Sequence, residues 1–308
     1  MRRVLLTGAS GFVGATVLRQ MIAQRREVAV LLRDTSNTAR IGGLLRRATV
    51  IRGDVSRVWD VSSDIASFAP ECIVHLAWHG VRGSERNNLE QLDNVPAAIA
   101  LHSLAVRLGC ARIVGMGSQA EYGAQQGRIH EDTPTRPTTL YGGAKLATGI
   151  LLERAAAHSG QSFAWLRLFS SYGPDDDPSW LIPYLIDRLL AGERPALTAG
   201  EQAWDYIHVE DAAAAVVAMV DLDVSGTFNL GSGTARPLRE IIQVVRDAID
   251  PRQPLGFGEV PYRPDQVMHL EADVSRLRAA SGWAPTIDLV QGLLGVVEHH
   301  RSRRAGRT

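Results

Sequence analysis

The sequence predicts an α/β protein built on a parallel sheet with helices on both faces, and three observations carry that expectation. Short apolar runs recur at 4–6, 28–32, 49–55, 72–77, 112–116 and 163–168, several of them continuous, as in strands buried on both sides. Helix-spaced stretches alternate with them, the pattern of parallel βαβ units. The first run also breaks into Gly8-Ala9-Ser10-Gly11-Phe12-Val13-Gly14, after which Val13, Val17, Leu18, Met21 and Ile22 mark one helical face.

A strand, a glycine turn and a helix aim backbone N–H groups at a diphosphate, and the helix N-terminus adds positive potential. Gly8 permits the tight turn, Gly11 lets phosphate approach the backbone, and Gly14 lets helix and strand pack closely. The spacing is G-x-x-G-x-x-G, which an ordinary βα turn also produces. Its place after the first strand favours dinucleotide binding.

The chain has 308 residues, enough for one large domain or two lobes, with 33 basic and 33 acidic side chains. That balance argues against a nucleic-acid partner, and Arg301 to Arg307 reads as a frayed, solvated tail. Met1-Arg2-Arg3 leads directly into a strand, which speaks against a signal peptide. No apolar stretch approaches the ~20 residues of a membrane span. Cys72 and Cys110 fall in or beside buried strands, so neither a disulfide framework nor a metal cluster is expected. A cytoplasmic location follows as the expectation.

The second strand ends at Leu32, where a carboxylate would bind the adenosine ribose of NAD. Leu32 cannot accept a hydrogen bond, and the Arg33 guanidinium suits a 2′-phosphate, so NADP(H) is expected. The alternative leaves Arg33 in solvent and gives the ribose to Asp34. His75, ending the fourth strand, reads as packed because nothing nearby would orient it as a base. A helix over 97–108 follows Asn94, and the fifth strand runs into Gly117-Ser118.

After a proline-punctuated loop at 131–137, Leu140-Tyr141-Gly142-Gly143-Ala144-Lys145 opens a helix reaching about residue 158. Tyr141 and Lys145 share one helical face. Two glycines in a first turn cost roughly 1 kcal/mol each against alanine, which makes sense where something approaches the backbone. A lysine beside a phenol would lower the tyrosine pKa and make it a usable acid or base. In isolation the pair reads better as a half-buried Tyr and a solvated Lys; the upstream glycine motif reverses that. Beyond 170 the βα alternation is lost, so a second lobe is expected, with a return to the first around Asp205 to Asp211.

Gly8, Gly11, Gly14, Ser118, Tyr141 and Lys145, in this order, resemble the extended short-chain dehydrogenase/reductases, specifically the nucleotide-sugar epimerase, dehydratase and ketoreductase group. The likeness extends over nearly the whole chain. It includes Val74-His75-Leu76-Ala77, Ser118…Tyr122-Gly123, Arg167-x-x-x-x-Tyr172-Gly173-Pro174, Asp205-Tyr206-Ile207-His208-Val209, Asn229-Leu230-Gly231 and Gly282-Trp283-x-Pro285. It implies a doubly wound (Rossmann) cofactor lobe, residues 1–170 plus about 203–230. A smaller substrate lobe would take 171–202 and 231–308.

The resemblance makes Tyr141 the general acid/base, with Lys145 on the nicotinamide ribose and Ser118 on the reacting oxygen. Gly8, Ser10, Gly11, Phe12, Val13, Arg33, Asp54, Val55, Leu76, Ala77, Trp78 and Asn94 would surround the cofactor. Ser118, Tyr141, Ser170 and Arg263 would meet a nucleotide-sugar substrate, Arg263 on its diphosphate. A homodimer through the helices after Asn94 and Tyr141 is implied.

Departures sharpen the expectation. Gln119 and Ala120 replace the acidic pair of the related 4,6-dehydratases, which excludes water elimination. Ser170 stands where many relatives have Asn, and Trp204 where an Arg often contacts the diphosphate; packing is the favoured role for Trp204. Together with Arg33, this points to NADPH-dependent reduction of a 4-keto-6-deoxysugar nucleotide. A 4-epimerase is the alternative, and a non-catalytic NADP-binding regulator a remoter one, since all of Ser118, Tyr141 and Lys145 are present.

Overall fold

The structure is a computed structural model describing residues 1–125, 127–262 and 266–305. Its first half contains β1 (Val4–Thr7), α1 (Phe12–Ala23), β2 (Val28–Leu32), β3 (Thr49–Arg52), α2 (Ser62–Phe68), β4 (Cys72–His75), α3 (Asn94–Arg107) and β5 (Arg112–Ser118). There follow β6 (Arg128–Ile129), α4 (Leu140–Ser159), β7 (Ser162–Leu168) and β8 (Ser170–Tyr172). The remainder comprises α5 (Leu181–Leu190), β9 (Ala196–Leu197), β10 (Ala203–His208), α6 (Val209–Val220), β11 (Gly226–Leu230) and β12 (Ala235–Pro237). Last come α7 (Leu238–Ile249), β13 (Gly256–Phe257), β14 (His269–Ala272), α8 (Ser275–Ser281) and α9 (Leu289–Ala305).

Seven parallel strands form the main sheet in the order β11-β7-β5-β4-β1-β2-β3. Alternate strand residues feed two cores because successive side chains point to opposite faces. Leu6, Val30, Val74 and Leu166 pack with α1 and α6, while Leu5, Ala29, Ile73 and Phe163 pack with α3 and α4. The strand order reverses between β1 and β4, and a doubly wound sheet opens its crevice at that point, beyond the strand C-termini.

A five-stranded sheet joins β12, β10, β14 and β6, with β8 beside β10. It draws β6 and β8 from before residue 173, so the second layer is interleaved with the first in sequence. A third core unites α5, α7 and α9 through Leu185, Ile186, Ile242, Val245, Leu293 and Val296.

Several element ends differ from the sequence expectation. β3 stops at Arg52 because Asp54 caps the following turn, accepting from the Ser56 N–H at 2.9 Å. β5 instead continues to Ser118, since β7 supplies ladder partners as far as Leu168. α3 begins at Asn94 itself. The basic tail is not frayed over its first part: α9 runs to Ala305, Arg301 donates to the Ala248 carbonyl at 2.7 Å, and Arg303 pairs with Asp175. Cys72 and Cys110 are free and buried, and the described residues contain no helix able to cross a membrane and no metal-binding cluster.

Candidate active site

A cleft of about 1680 Å³ opens at the C-terminal ends of the main sheet and runs to the second layer. It is lined by every residue the sequence assigned to the site except Arg263, which lies outside the described residues.

At the dinucleotide end, Gly8 has φ +76°, and a Cβ there would strike the backbone of Leu76 and Ala77. A Cβ on Gly14 would strike the Gly8 carbonyl, so the first turn of α1 rests directly on the glycine turn. Ser10, Gly11, Phe12 and Val13 face the cleft, and no side chain caps α1 at Gly11. The first-turn N–H groups and the helix dipole are thereby available to an anion, as a dinucleotide's diphosphate requires.

Leu32 is buried, and Arg33 is exposed at the cleft wall. Partial burial works against the Asp54 carboxylate, yet the Ser56 N–H and hydroxyl, then Arg33 and Arg57, hold it below its ordinary range. Asn94 lines the cleft with its amide already committed. Its Oδ1 accepts from the His79 N–H at 2.8 Å, and its Nδ2 donates to the His79 carbonyl at 3.2 Å, which pins the Trp78–His79 turn.

At the chemical end, Ser118 terminates β5, and Tyr141 and Lys145 sit in the first turns of α4. Thr139 caps that helix, accepting from the Gly142 N–H at 3.1 Å. Of the two glycines, Gly142 is required because the Ala120 carbonyl lies against it; Gly143 faces open space.

Lys145 is buried, donates to the Met116 carbonyl at 2.7 Å, and places its ammonium 3.7 Å from the Trp78 ring centre. Burial pushes its pKa down to about 7, against an opposing pull from Glu121.

The sequence expectation that Lys145 lowers the Tyr141 pKa is corrected here. Burial raises the Tyr141 phenol above its ordinary value, and the groups that oppose this are the Ser118 hydroxyl and Arg86. The Lys145 ammonium is 5.9 Å from the Tyr141 ring centre and is engaged by Trp78, whose ring meets Tyr141 edge-on at 6.2 Å.

His75 is packed, as expected. Its Nδ1 is 2.8 Å from the Thr7 hydroxyl, and burial, then Lys145, drives its pKa down to about 3.

Three features were not singled out from the sequence. Glu121 is fully buried and accepts from the Ser118 N–H at 2.8 Å, from Trp165 Nε1 at 3.0 Å and from Arg167 Nε at 2.7 Å. It forms a capping box with Ser118, a unit legible as S-x-x-E. Arg86 stacks on Tyr141, its guanidinium carbon 5.0 Å from the ring centre. Asp176 also lines the cleft, with burial pushing its carboxyl up to about 7.

Other motif residues prove to be fasteners. Asp205 accepts from the Ser232, Gly233 and Ala272 N–H groups; Asn229 joins the Tyr122 hydroxyl to the Ile129 carbonyl; Asp211 holds Thr286 and Ile287. Trp204 Nε1 donates to Ser170 Oγ at 2.6 Å, so Trp204 packs with a polar contact rather than by shape alone.

Residues 4–231 match the sequence profile described as the NAD dependent epimerase/dehydratase family. The chain belongs to this family. The family assignment agrees with the doubly wound sheet and the nucleotide-sugar group that the sequence resembled.

Among similar proteins of the family is a UDP-glucose 4-epimerase of Azospirillum brasilense, 28% identical, the match covering 95% of this chain and 90% of that protein. A dTDP-glucose 4,6-dehydratase of Streptomyces griseus is 27% identical over 98% of this chain and 95% of its own length. A UDP-glucose-4-epimerase structure from Stenotrophomonas maltophila, with bound NAD and formylated UDP-arabinopyranose, superposes with a TM-score of 0.89. It is 25% identical and covers 99% of this chain and 100% of its own.

Proposed function

We propose that this member of the family is a nucleotide-sugar 4-epimerase that works with a nicotinamide dinucleotide. The observation that carries the reading is one continuous cleft with an uncapped α1 N-terminus at one end and Ser118, Tyr141 and Lys145 at the other. The 4-epimerase names of its relatives favour this activity over the reductase expected from sequence.

A nicotinamide bound in the cleft supplies reversible hydride transfer. This chain's own part is proton handling. Tyr141 takes the proton from the sugar C4 hydroxyl and returns it to the same oxygen after the sugar presents its other face. Ser118 donates to that oxygen, steadying the developing charge. Lys145, held by the Met116 carbonyl and the Trp78 ring, is assigned the nicotinamide ribose in this reading. Gln119 and Ala120 follow Ser118, and the carboxylate of that turn, Glu121, is buried and already taken by Ser118, Trp165 and Arg167, which speaks against elimination.

A second reading, NADPH-dependent 4-ketoreduction, is favoured by Leu32 and Arg33, which offer no carboxylate to a ribose but one guanidinium to a 2′-phosphate. One experiment separates the two. Purified protein is incubated with UDP- and dTDP-linked hexoses and, separately, with 4-keto-6-deoxysugar nucleotides and NADPH. Interconversion of C4 epimers without net cofactor change is the expected result. Loss of one NADPH per hydroxyl formed would establish the reductase instead.

The reading includes a homodimer through α3 and α4, which expose Ile99, Val106, Ile150 and Leu151, and a cytoplasmic location. Light scattering on the purified protein tests the dimer.

A further inference from the structure

Arg86 lies in the loop between β4 and α3, and it touches Tyr141 in two ways. Its carbonyl accepts from the Tyr141 N–H at 2.8 Å, and its guanidinium carbon stands 5.0 Å from the Tyr141 ring centre. The Nε donates to the Val81 carbonyl at 3.2 Å, holding the fork in place. Trp180, which precedes α5 and also lines the cleft, presents its ring centre 5.6 Å from the same guanidinium carbon. One guanidinium thus lies within reach of both aromatic rings.

Among the described residues, no carboxylate pairs with Arg86. The nearby Glu85 carboxylate receives the Arg82 N–H, and Arg82 itself pairs with Asp177 at 2.7 Å. The other groups facing Tyr141 are committed elsewhere. From its own helix, Lys145 is taken by Met116 and Trp78; from the turn after β5, Glu121 is taken by Ser118, Trp165 and Arg167. Ser118 and Trp78 carry no charge. Arg86 is therefore the nearer of two cations at the Tyr141 ring, 5.0 Å from its centre against 5.9 Å for the Lys145 ammonium, which Trp78 and the Met116 carbonyl share.

We propose that Arg86 is a positioning residue of this site, fixing the Tyr141 ring and adding to Lys145 a second, nearer cation that favours its phenolate, with the Trp180 ring helping to hold the guanidinium. The inference rests on Tyr141 being the acid/base. A guanidinium over an aromatic face is attracted by the ring's negative potential, and the attraction strengthens when the phenol ionises and spreads charge into the ring. Burial alone would keep Tyr141 protonated, so a base step needs such a counter-charge. A planar guanidinium can stack on aromatic faces, whereas an ammonium cannot.

The test compares Arg86→Met, Arg86→Lys and Trp180→Ala with the unmodified protein. The Tyr141 titration is read directly as the phenolate absorbance of each protein minus that of its Tyr141→Phe counterpart. Arg86→Met should raise the Tyr141 pKa by about one unit or more. It should also carry the acidic limb of the kcat–pH profile upward by the same amount, with KM for the nucleotide sugar changed less than about two-fold. Arg86→Lys should recover part of the shift, and Trp180→Ala should show a smaller one.

A Tyr141 titration unmoved in Arg86→Met, whether activity is intact or only KM rises, would overturn the proposal; the latter would make Arg86 a substrate ligand. If Arg86→Met fails to fold, Arg86→Lys and Trp180→Ala decide by the same titration. Should Tyr141→Phe remain active, the acid/base reading itself fails, while the titration still reports whether Arg86 acts on the phenol.

Discussion

The indole N–H of Trp204 donates to the hydroxyl of Ser170 across 2.6 Å, linking two of the positions read from the sequence as departures from the family pattern. They are neighbours because β8 and β10 run parallel, with Tyr206 opposite Ser170. Ser170 Oγ acts as acceptor here and so keeps its own proton for donation into the cleft it lines. Double-mutant analysis should find a coupling of about 1 kcal/mol between Trp204→Phe and Ser170→Ala in chemical denaturation. Additive effects would show that this contact contributes no coupling to stability.

Glu121 is expected to be the most sensitive polar residue near the site. Glu121→Ala leaves Arg167 buried without its partner and the Ser118 N–H without its acceptor, so about 3–5 kcal/mol of stability should be lost. Glu121→Gln keeps an acceptor and should lose less. At a temperature where both remain folded, kcat should fall further for Ala than for Gln, because Ser118 loses its anchor. Equilibrium denaturation with initial rates checks both parts.

The buried His75 makes the protein acid-sensitive. Its pKa falls from 6.5 to about 3 on folding, so within that window the unfolded chain binds a proton that the folded chain refuses. Stability is complete above 6.5 and declines as pH falls toward 3, by roughly 2 kcal/mol at pH 5 from this residue. His75→Asn, which can still bond Thr7, should lose less stability between pH 7 and pH 5 than the unmodified protein. Melting temperatures at the two pH values decide.

Arg33 should discriminate between dinucleotides whichever reaction is catalysed. Arg33→Ala should weaken NADP(H) binding at least ten-fold, about 1.4 kcal/mol, and leave NAD(H) within two-fold. Equal losses for both, measured by fluorescence titration, would place Arg33 away from the 2′ position.

The parallel α/β class, the glycine turn and the order Ser118, Tyr141, Lys145 were determined by the sequence alone. Each rests on local information. Buried runs and helical spacing repeat over short windows, and the glycine turn and the Tyr141–Lys145 spacing are held within single connected segments. The S-x-x-E unit at Ser118 was equally local, and the role of Glu121 as a cap was there to be read.

What only the tertiary structure decided are the contacts between segments remote in the chain. Trp78 meets the Lys145 ammonium, Arg86 comes closer to the Tyr141 ring than Lys145 does, and Trp204 meets Ser170. The extension of β5 to Ser118 likewise depended on where β7 lay, and the anchoring of α9 on carbonyls and an acid far upstream. The physical reason is common to all of them. A side chain's charge state and direction follow from which groups desolvate and contact it. For the Tyr141 phenol those groups come from a loop before α3 and a turn after β5, whose meeting no periodicity in the sequence records.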